Sequence, residues 1–297
     1  MLVPRLSKRG NFLASAEFGL HATSIAAFQE CPMIDEPDAP SVGETLHPGA
    51  KPEPTGSESI QAPPSAIAAA LSRSPARGIQ VHVASSERRA EEIGRALAGL
   101  APGVEVLVLP PWDCLPCDRA SPSRDVMGRR MRVLQRLTQP MDRRCIVVTS
   151  PEALVQKLPP REVLADAFVV LERGHRLDRD ALAHFAARAG YITDDRIDEP
   201  GEIAFQGEVI DIFPADASRP ARIALADGDL VAEIRSYDPL SQRSEGEIER
   251  LSIGPASELI LPPLSAGSDL AQIQEPRPPG LEHGLAEHYG ALETLFD

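Results

Sequence analysis

The stretch "VEVLVLPPWDCLPCDRASPSRDVMGRRMRVLQRL", residues 104–137, carries a buried-strand pattern, a long polar loop and then a helix. "VEVLVLP" is a short apolar run rich in Val and Leu, the mark of a strand covered on both faces. From Ser123 the spacing changes to that of a helix, with Met127, Met131, Leu134 and Leu137 on one side. The same order of strand then helix recurs on either side. "GIQVHVA" precedes "SSERRAEEIGRALAGL", capped by Ser85 or Ser86, and "RCIVVTS" precedes "PEALVQKL", which Pro151 starts. Strands alternating with helices predict a parallel α/β layer.

After about residue 165 the rhythm breaks. "AFVVLERG" reads as a strand and "DRDALAHFAARAGY" as a helix with Asp178 as N-cap and Gly190 as C-cap. Short strands follow in "GEVIDIFP", "ARIALA", "LVAEIRSYD" and "IERLSIGP", with "ADGD" at 226–229 as a hairpin turn. Clustered short strands predict a small α+β unit inserted in the α/β layer. The acidic "DDRIDEPGE", 194–202, lacks the ligand spacing of a calcium loop and reads as a solvated turn. Residues 262–279 read as a Pro-rich loop and 280–297 as helical. The expected organisation is a disordered tail over 1–65, an α/β domain over 66–160, an inserted α+β domain over 161–248, and a return to the α/β domain over 249–297. "CPMIDEPDAPSVGETLHPGAKPEPTGSES" has too little apolar surface to offset its ordering entropy, although a short amphipathic helix fits 12–29.

A net charge of −14 argues against a general nucleic-acid surface, so direct DNA binding is not expected. No apolar run is long enough for a membrane helix, and no secretory signal is evident. Four cysteines, Cys31, Cys114, Cys117 and Cys145, are too unevenly spaced for a disulfide framework and point to a reducing, cytoplasmic setting. Cys114 and Cys117 form a C-x-x-C after a strand, which raises a thiol or metal reading. Pro116 lies inside the motif and the helix starts only near Ser123, so a thioredoxin-type geometry is not set up. Neither Cys145 nor His82 completes a zinc set. The three lysines, Lys8, Lys51 and Lys157, follow Ser7, Ala50 and Gln156, so none sits in a G-x-x-x-x-G-K-[ST] phosphate cradle. An ATPase is not expected.

Trp112, Asp113, Leu115, Pro116, Asp118, Ser121, Pro122, Asp125, Arg130, Leu134 and Leu137 resemble a segment of the transcription-repair coupling factor (Mfd) family. "VVTSPEALVQKLPP", "GEVIDIFPA", "RSYDPLSQRS" and "GLEHGLAEHYGALETLFD" resemble further family motifs in the same order, so the resemblance covers roughly 75–297. Cys114 then falls on a variable position and Cys117 on a usual Tyr. The resemblance implies a motor-like, RecA-type domain without a P-loop, carrying an inserted domain that binds UvrA, with no cofactor, metal or catalytic residue. It places the partner surface at Arg222, Gln206, Phe205 and Leu225. Gln206 stands where the family has an arginine, Leu225 and Ala226 stand for two Phe, and Gly284 stands for a Trp. One extra residue is assigned to the hairpin turn at Asp227-Gly228. Strand alternation puts Ile223 and Leu225 on one face and Arg222, Ala224 and Ala226 on the other. The competing readings are a truncated, degenerate relative that docks another protein and a C-x-x-C thiol or metal protein.

Overall fold

The computed structural model describes residues 62–75, 78–115, 118–263 and 277–295. Nearly all of the expected tail, including the 12–29 helix and Cys31, lies outside these residues, as does Cys117. At the tail's end a helix already begins. This is α1 (Pro64–Arg73), with proline at a first-turn position where a missing N–H is no loss.

The fold is mixed α/β, as expected. Strands β1 (Ile79–Val83), β2 (Glu105–Leu109) and β3 (Cys145–Thr149) form a parallel sheet in the order β1-β3-β2. Central β3 is buried along its whole length, which explains its unbroken apolar run. Helix α2 (Glu87–Leu100) starts at Ser86, whose hydroxyl accepts from the Arg89 N–H, and places Ile93 and Leu97 against Ile146 and Val148. Helix α3 (Arg124–Thr138) starts at Ser123 in the same way. Its Val133 packs on Leu109, Cys145 and Val147, while Met131 and Leu134 pack on Leu158 and Leu164.

Helix α4 (Pro151–Val155) is shorter than its sequence pattern, and a separate helix α5 (Arg161–Ala165) follows the prolines at 159 and 160. A residue before proline is driven out of helical geometry. Leu158 instead exchanges two backbone hydrogen bonds with Glu293, each 3.0 Å. The expected helix over 280–297 is corrected likewise. A 3-10 turn (Leu281–Gly284) leads into α7 (Leu285–Tyr289), and Gly290 ends it at φ +71°, where a side chain would be strained.

The second half is built on six strands: β5 (Ile192–Thr193), β6 (Glu202–Gln206), β7 (Val209–Phe213), β8 (Ala221–Ala226), β9 (Leu230–Tyr237) and β10 (Ser244–Glu247). They lie in the order β10-β9-β8-β7-β6-β5, antiparallel except for β5 with β6. Strands β4 (Val169–Glu172) and β11 (Arg250–Ile253) pair separately. Helix α6 (Arg179–Arg188) is capped by Asp178, and Gly190 sits one residue beyond the Ala189 C-cap at φ +87°. Leu182 and Ala186 of α6, Leu171 of β4, and Leu251 and Ile253 of β11 share a core with Ile203, Ile210, Ile212, Ile223 and Ile234. Residues 250–253 thus pack with the six-stranded sheet, past the boundary expected at 248. The β8–β9 register also slips. Ala224 faces Glu233 and Leu225 faces Val231, so Ala232 is unopposed. A bulge of this kind bends the strand and raises its twist.

The two halves meet tightly at Gly128 of α3. A Cβ there would stand 2.5 Å from Ala215 Cβ and 2.6 Å from its carbonyl carbon. Backbone cannot swing aside as a side-chain tip can, so Gly128→Ala is expected to destabilise the fold by about 1–3 kcal/mol. Urea unfolding would check this, and a midpoint equal to that of the unsubstituted chain would show that the contact relaxes freely.

Candidate protein-interaction surface

Antiparallel pairing turns residues far apart in sequence into rows on one sheet face. Ala204, Asp211, Arg222, Arg235 and Glu247 are successive cross-strand partners from β6 to β10. Gln206, Val209, Ala224 and Glu233 form the adjacent row on the same face. Their inward neighbours fill the larger core, while on this face Ala204 joins Phe213 and Ile197 in a second small buried cluster and Tyr237 is buried, so the exposed polar part lies toward β8–β10.

Arg222 is held rather than free. Its Nε and Nη2 donate to the two carboxylate oxygens of Asp211 at 2.7 and 2.8 Å, and its guanidinium lies 5.0 Å from the centre of the Tyr237 ring. The Asp211 hydrogen bonds raise the arginine's pKa and keep its charge fixed. The Asp211 side chain is 11% exposed against 38% for Arg222, so the acid is sheltered beneath a guanidinium that still reaches solvent. Arg235 lies directly opposite Arg222 and is neutralised from its other sides by Glu233 at 2.6 Å and Glu247 at 3.6 Å. Two like charges side by side are costly unless flanked in this manner.

Of the four residues expected at the surface, Arg222 and Gln206 share this face. Gln206 is exposed, and its side-chain amide donates to the Asp195 carbonyl at 3.0 Å. Leu225 and Phe205 do not join them. Leu225 is 6% exposed and belongs to the core, and Phe205 packs half-buried against that core. Their placement is corrected by the period of the strand itself, since both alternate with outward residues. Asp211, Arg235, Glu233 and Glu247 belong to the same charged face and were not singled out from sequence. The outward position of Asp211 between Ile210 and Ile212 was readable, but its partner depends on the β7–β8 register.

The cysteine loop offers little for thiol chemistry. Burial first, and then the charges of Asp113, Asp118 and Glu282, raise the Cys114 thiol, the reverse of what a reactive thiolate needs. Buried Cys145 is pushed up to about 11, chiefly by desolvation. Among the described residues no group of three or more His, Cys, Asp or Glu is placed to hold a metal ion. Among them, too, no helix is long and apolar enough to cross a membrane.

A sheet sealed by a core on one face and, beyond the small Ile197–Ala204–Phe213 cluster, presenting ordered, paired charges on the other has the build of an interaction module. Residues 169–259 match the family model described as the UvrB interaction domain. The transcription-repair-coupling factor of Bacillus subtilis is 33% identical over 175 residues, covering 59% of this chain and 15% of that relative. That of Escherichia coli strain K12 is 34% identical over 153 residues, covering 52% and 13%. That of Mycobacterium tuberculosis is 31% identical over 188 residues, covering 62% and 15%. The chain is therefore similar to an N-terminal module of the transcription-repair coupling factors, with a UvrB interaction domain, and spans 13–15% of the length of these relatives.

Proposed function

We propose that this chain is a protein-interaction module of nucleotide excision repair that docks a UvrA-like protein through the polar face of the six-stranded sheet. The observation that carries this is Arg222, anchored by Asp211 yet reaching solvent, within the segment that matches the UvrB interaction domain. In this reading residues 66–160 belong to a RecA-type layer that turns over no ATP, the inserted partner-binding domain runs from 161 through at least Ile253, and the chain then returns to the layer. The contact centres on Arg222, with Gln206 on the same face two strands away. Phe205 and Leu225 support the surface from the core side.

An arginine fork pairs with carboxylates in a way that a glutamine amide cannot. Titration of UvrA into the full chain is expected to give weak binding. Gln206→Arg should tighten it, and Arg222→Ala should lower affinity at least tenfold. The interaction should weaken with salt, since near-surface charges are screened over ~8–10 Å. Tight binding indifferent to both substitutions would move the surface elsewhere. The degenerate-relative reading, with another partner, is favoured if none of the three proteins binds.

A further inference from the structure

Among the described residues, strand β2 is an edge of the parallel sheet, paired with β3 on one side and open on the other. The Glu105 N–H donates to the Arg144 carbonyl, which fixes the phase of the ladder. Glu105, Leu107 and Leu109 turn their backbone groups toward β3, so Val106 and Val108 each turn an N–H and a C=O outward. No hydrogen bond reaches these outward groups among the described residues. Residues 106–108 line an open groove of about 430 Å³ between α2 and α3. An unpaired edge is a template for another strand, and proteins guard such edges with prolines, bulges or charges on the strand itself. The strand "EVLVL" has no proline, and its register with β3 is unbroken. Its one charge, Glu105, is held away by Arg136 at 2.6 and 2.8 Å.

The charges along the groove select the guest. Arg129 is paired with Glu91 and Asp125, and Arg132 with Asp216. Arg95 also lines the groove and is exposed. Its one hydrogen bond among the described residues is a long one, 3.4 Å from Nε to the Glu91 carbonyl of its own helix. Its two terminal nitrogens are open to solvent-borne carboxylate, which a guanidinium fork binds in a bidentate way. A charged fork beside an open strand edge suits an extended peptide with an acidic side chain. A basic peptide would meet like charge, and a helix has no free backbone groups along its length to offer the edge.

We propose that an extended peptide segment of a partner protein adds to the free edge of β2, pairing with the Val106 and Val108 backbone and presenting an Asp or Glu to Arg95. In such strand addition the main-chain bonds supply affinity and the side-chain contact supplies choice. The groove belongs to the parallel sheet, not to the polar face of the six-stranded one, and its test does not depend on UvrA. The probe is the capped peptide Thr-Thr-Val-Glu-Val-Thr-Thr, titrated into the full chain and followed by NMR. It is expected to bind saturably and to slow hydrogen exchange at the Val106 and Val108 amides. The same peptide with Lys in place of Glu should bind at least tenfold more weakly, and Arg95→Glu should reverse that preference. The proposal is overturned by absent binding of the Glu peptide, by binding that leaves both amides unprotected, or by a preference for Glu that survives Arg95→Glu. A dimer of the chain that excludes the peptide would assign the edge to a second copy and overturn it as well. Should Arg95→Glu not fold, peptides N-methylated at alternate amides decide. Methylation in one phase should abolish binding and in the other spare it, and equal binding in both phases overturns the proposal.

Discussion

Arg130→Met is expected to destabilise the protein by about 3–5 kcal/mol, the cost of breaking a buried ion pair from one side. The Arg130 and Glu258 side chains are both 0% exposed, with Nε and Oε1 2.5 Å apart. Arg130 Nη1 also donates to the Pro110 carbonyl at 2.7 Å, and the Trp112 indole N–H donates to Glu258 Oε1 at 2.9 Å. One pair thus ties α3, the loop after β2 and the segment after β11 together. Methionine matches much of the arginine's volume but leaves the Glu258 carboxylate in the interior with the indole as its remaining donor. The pair itself is not an efficient source of stability, because Arg130 Nη2 and Glu258 Oε2 are buried without partners. Arg130→Met combined with Glu258→Leu should therefore recover a large part of the loss. It should not recover all of it, since Trp112 and Pro110 lose their partners. Urea unfolding read by the fluorescence of Trp112, the chain's single tryptophan, measures both variants at the site concerned. A single variant within about 1 kcal/mol of the parent would mean that water reaches Glu258 and the pair is not truly buried.

Arg130 was legible in sequence only through the family resemblance, and its partner 128 residues away was not legible at all. This division runs through the whole fold. The βα alternation and the caps at Ser86 and Asp178 are local, and they could be read directly. Strand β10, "SEGE", contains no apolar residue and is exposed throughout, so its pairing with β9 leaves no hydrophobic pattern to find. Strand β6 begins at Glu202, straight after a Pro-Gly turn, and the acidic turn masked its start. The helical appearance of the last segment fails at Gly290, whose positive φ depends on where the chain must next go to meet Leu158. At the candidate surface, period-2 alternation placed Arg222 outward. The same alternation placed Leu225 inward, against its expected role as a contact residue. The acid that orients Arg222 could be identified only once β7 and β8 were in register.

That acid sets the remaining expectation. The Arg222 guanidinium has five N–H donors, and Asp211 takes two of them, which leaves three for a partner. Asp211 thus positions a fork without consuming it, and the Tyr237 ring backs the same group. Removing the acid in Asp211→Ala frees the guanidinium to rotate and leaves Arg222 and Arg235 opposed without the Asp211 charge beside them. A flexible arginine must then be ordered by the partner, at a cost of about 0.5–1.5 kcal/mol for an immobilised side chain, and the partner also meets a disordered charge pattern. In the docking reading, Asp211→Ala is expected to weaken UvrA binding by roughly 10–100-fold, close to the effect of Arg222→Ala, since a lost charge-assisted contact is worth about 1.5–3 kcal/mol. The two losses should not add, because both remove the same oriented fork. Titrations of the parent, both single variants and Asp211→Ala/Arg222→Ala complete a cycle that tests this. Additive losses would mean that Asp211 touches the partner on its own account. Binding unaffected by Asp211→Ala but lost in Arg222→Ala would mean that the partner itself orients the arginine and that the acid serves stability alone.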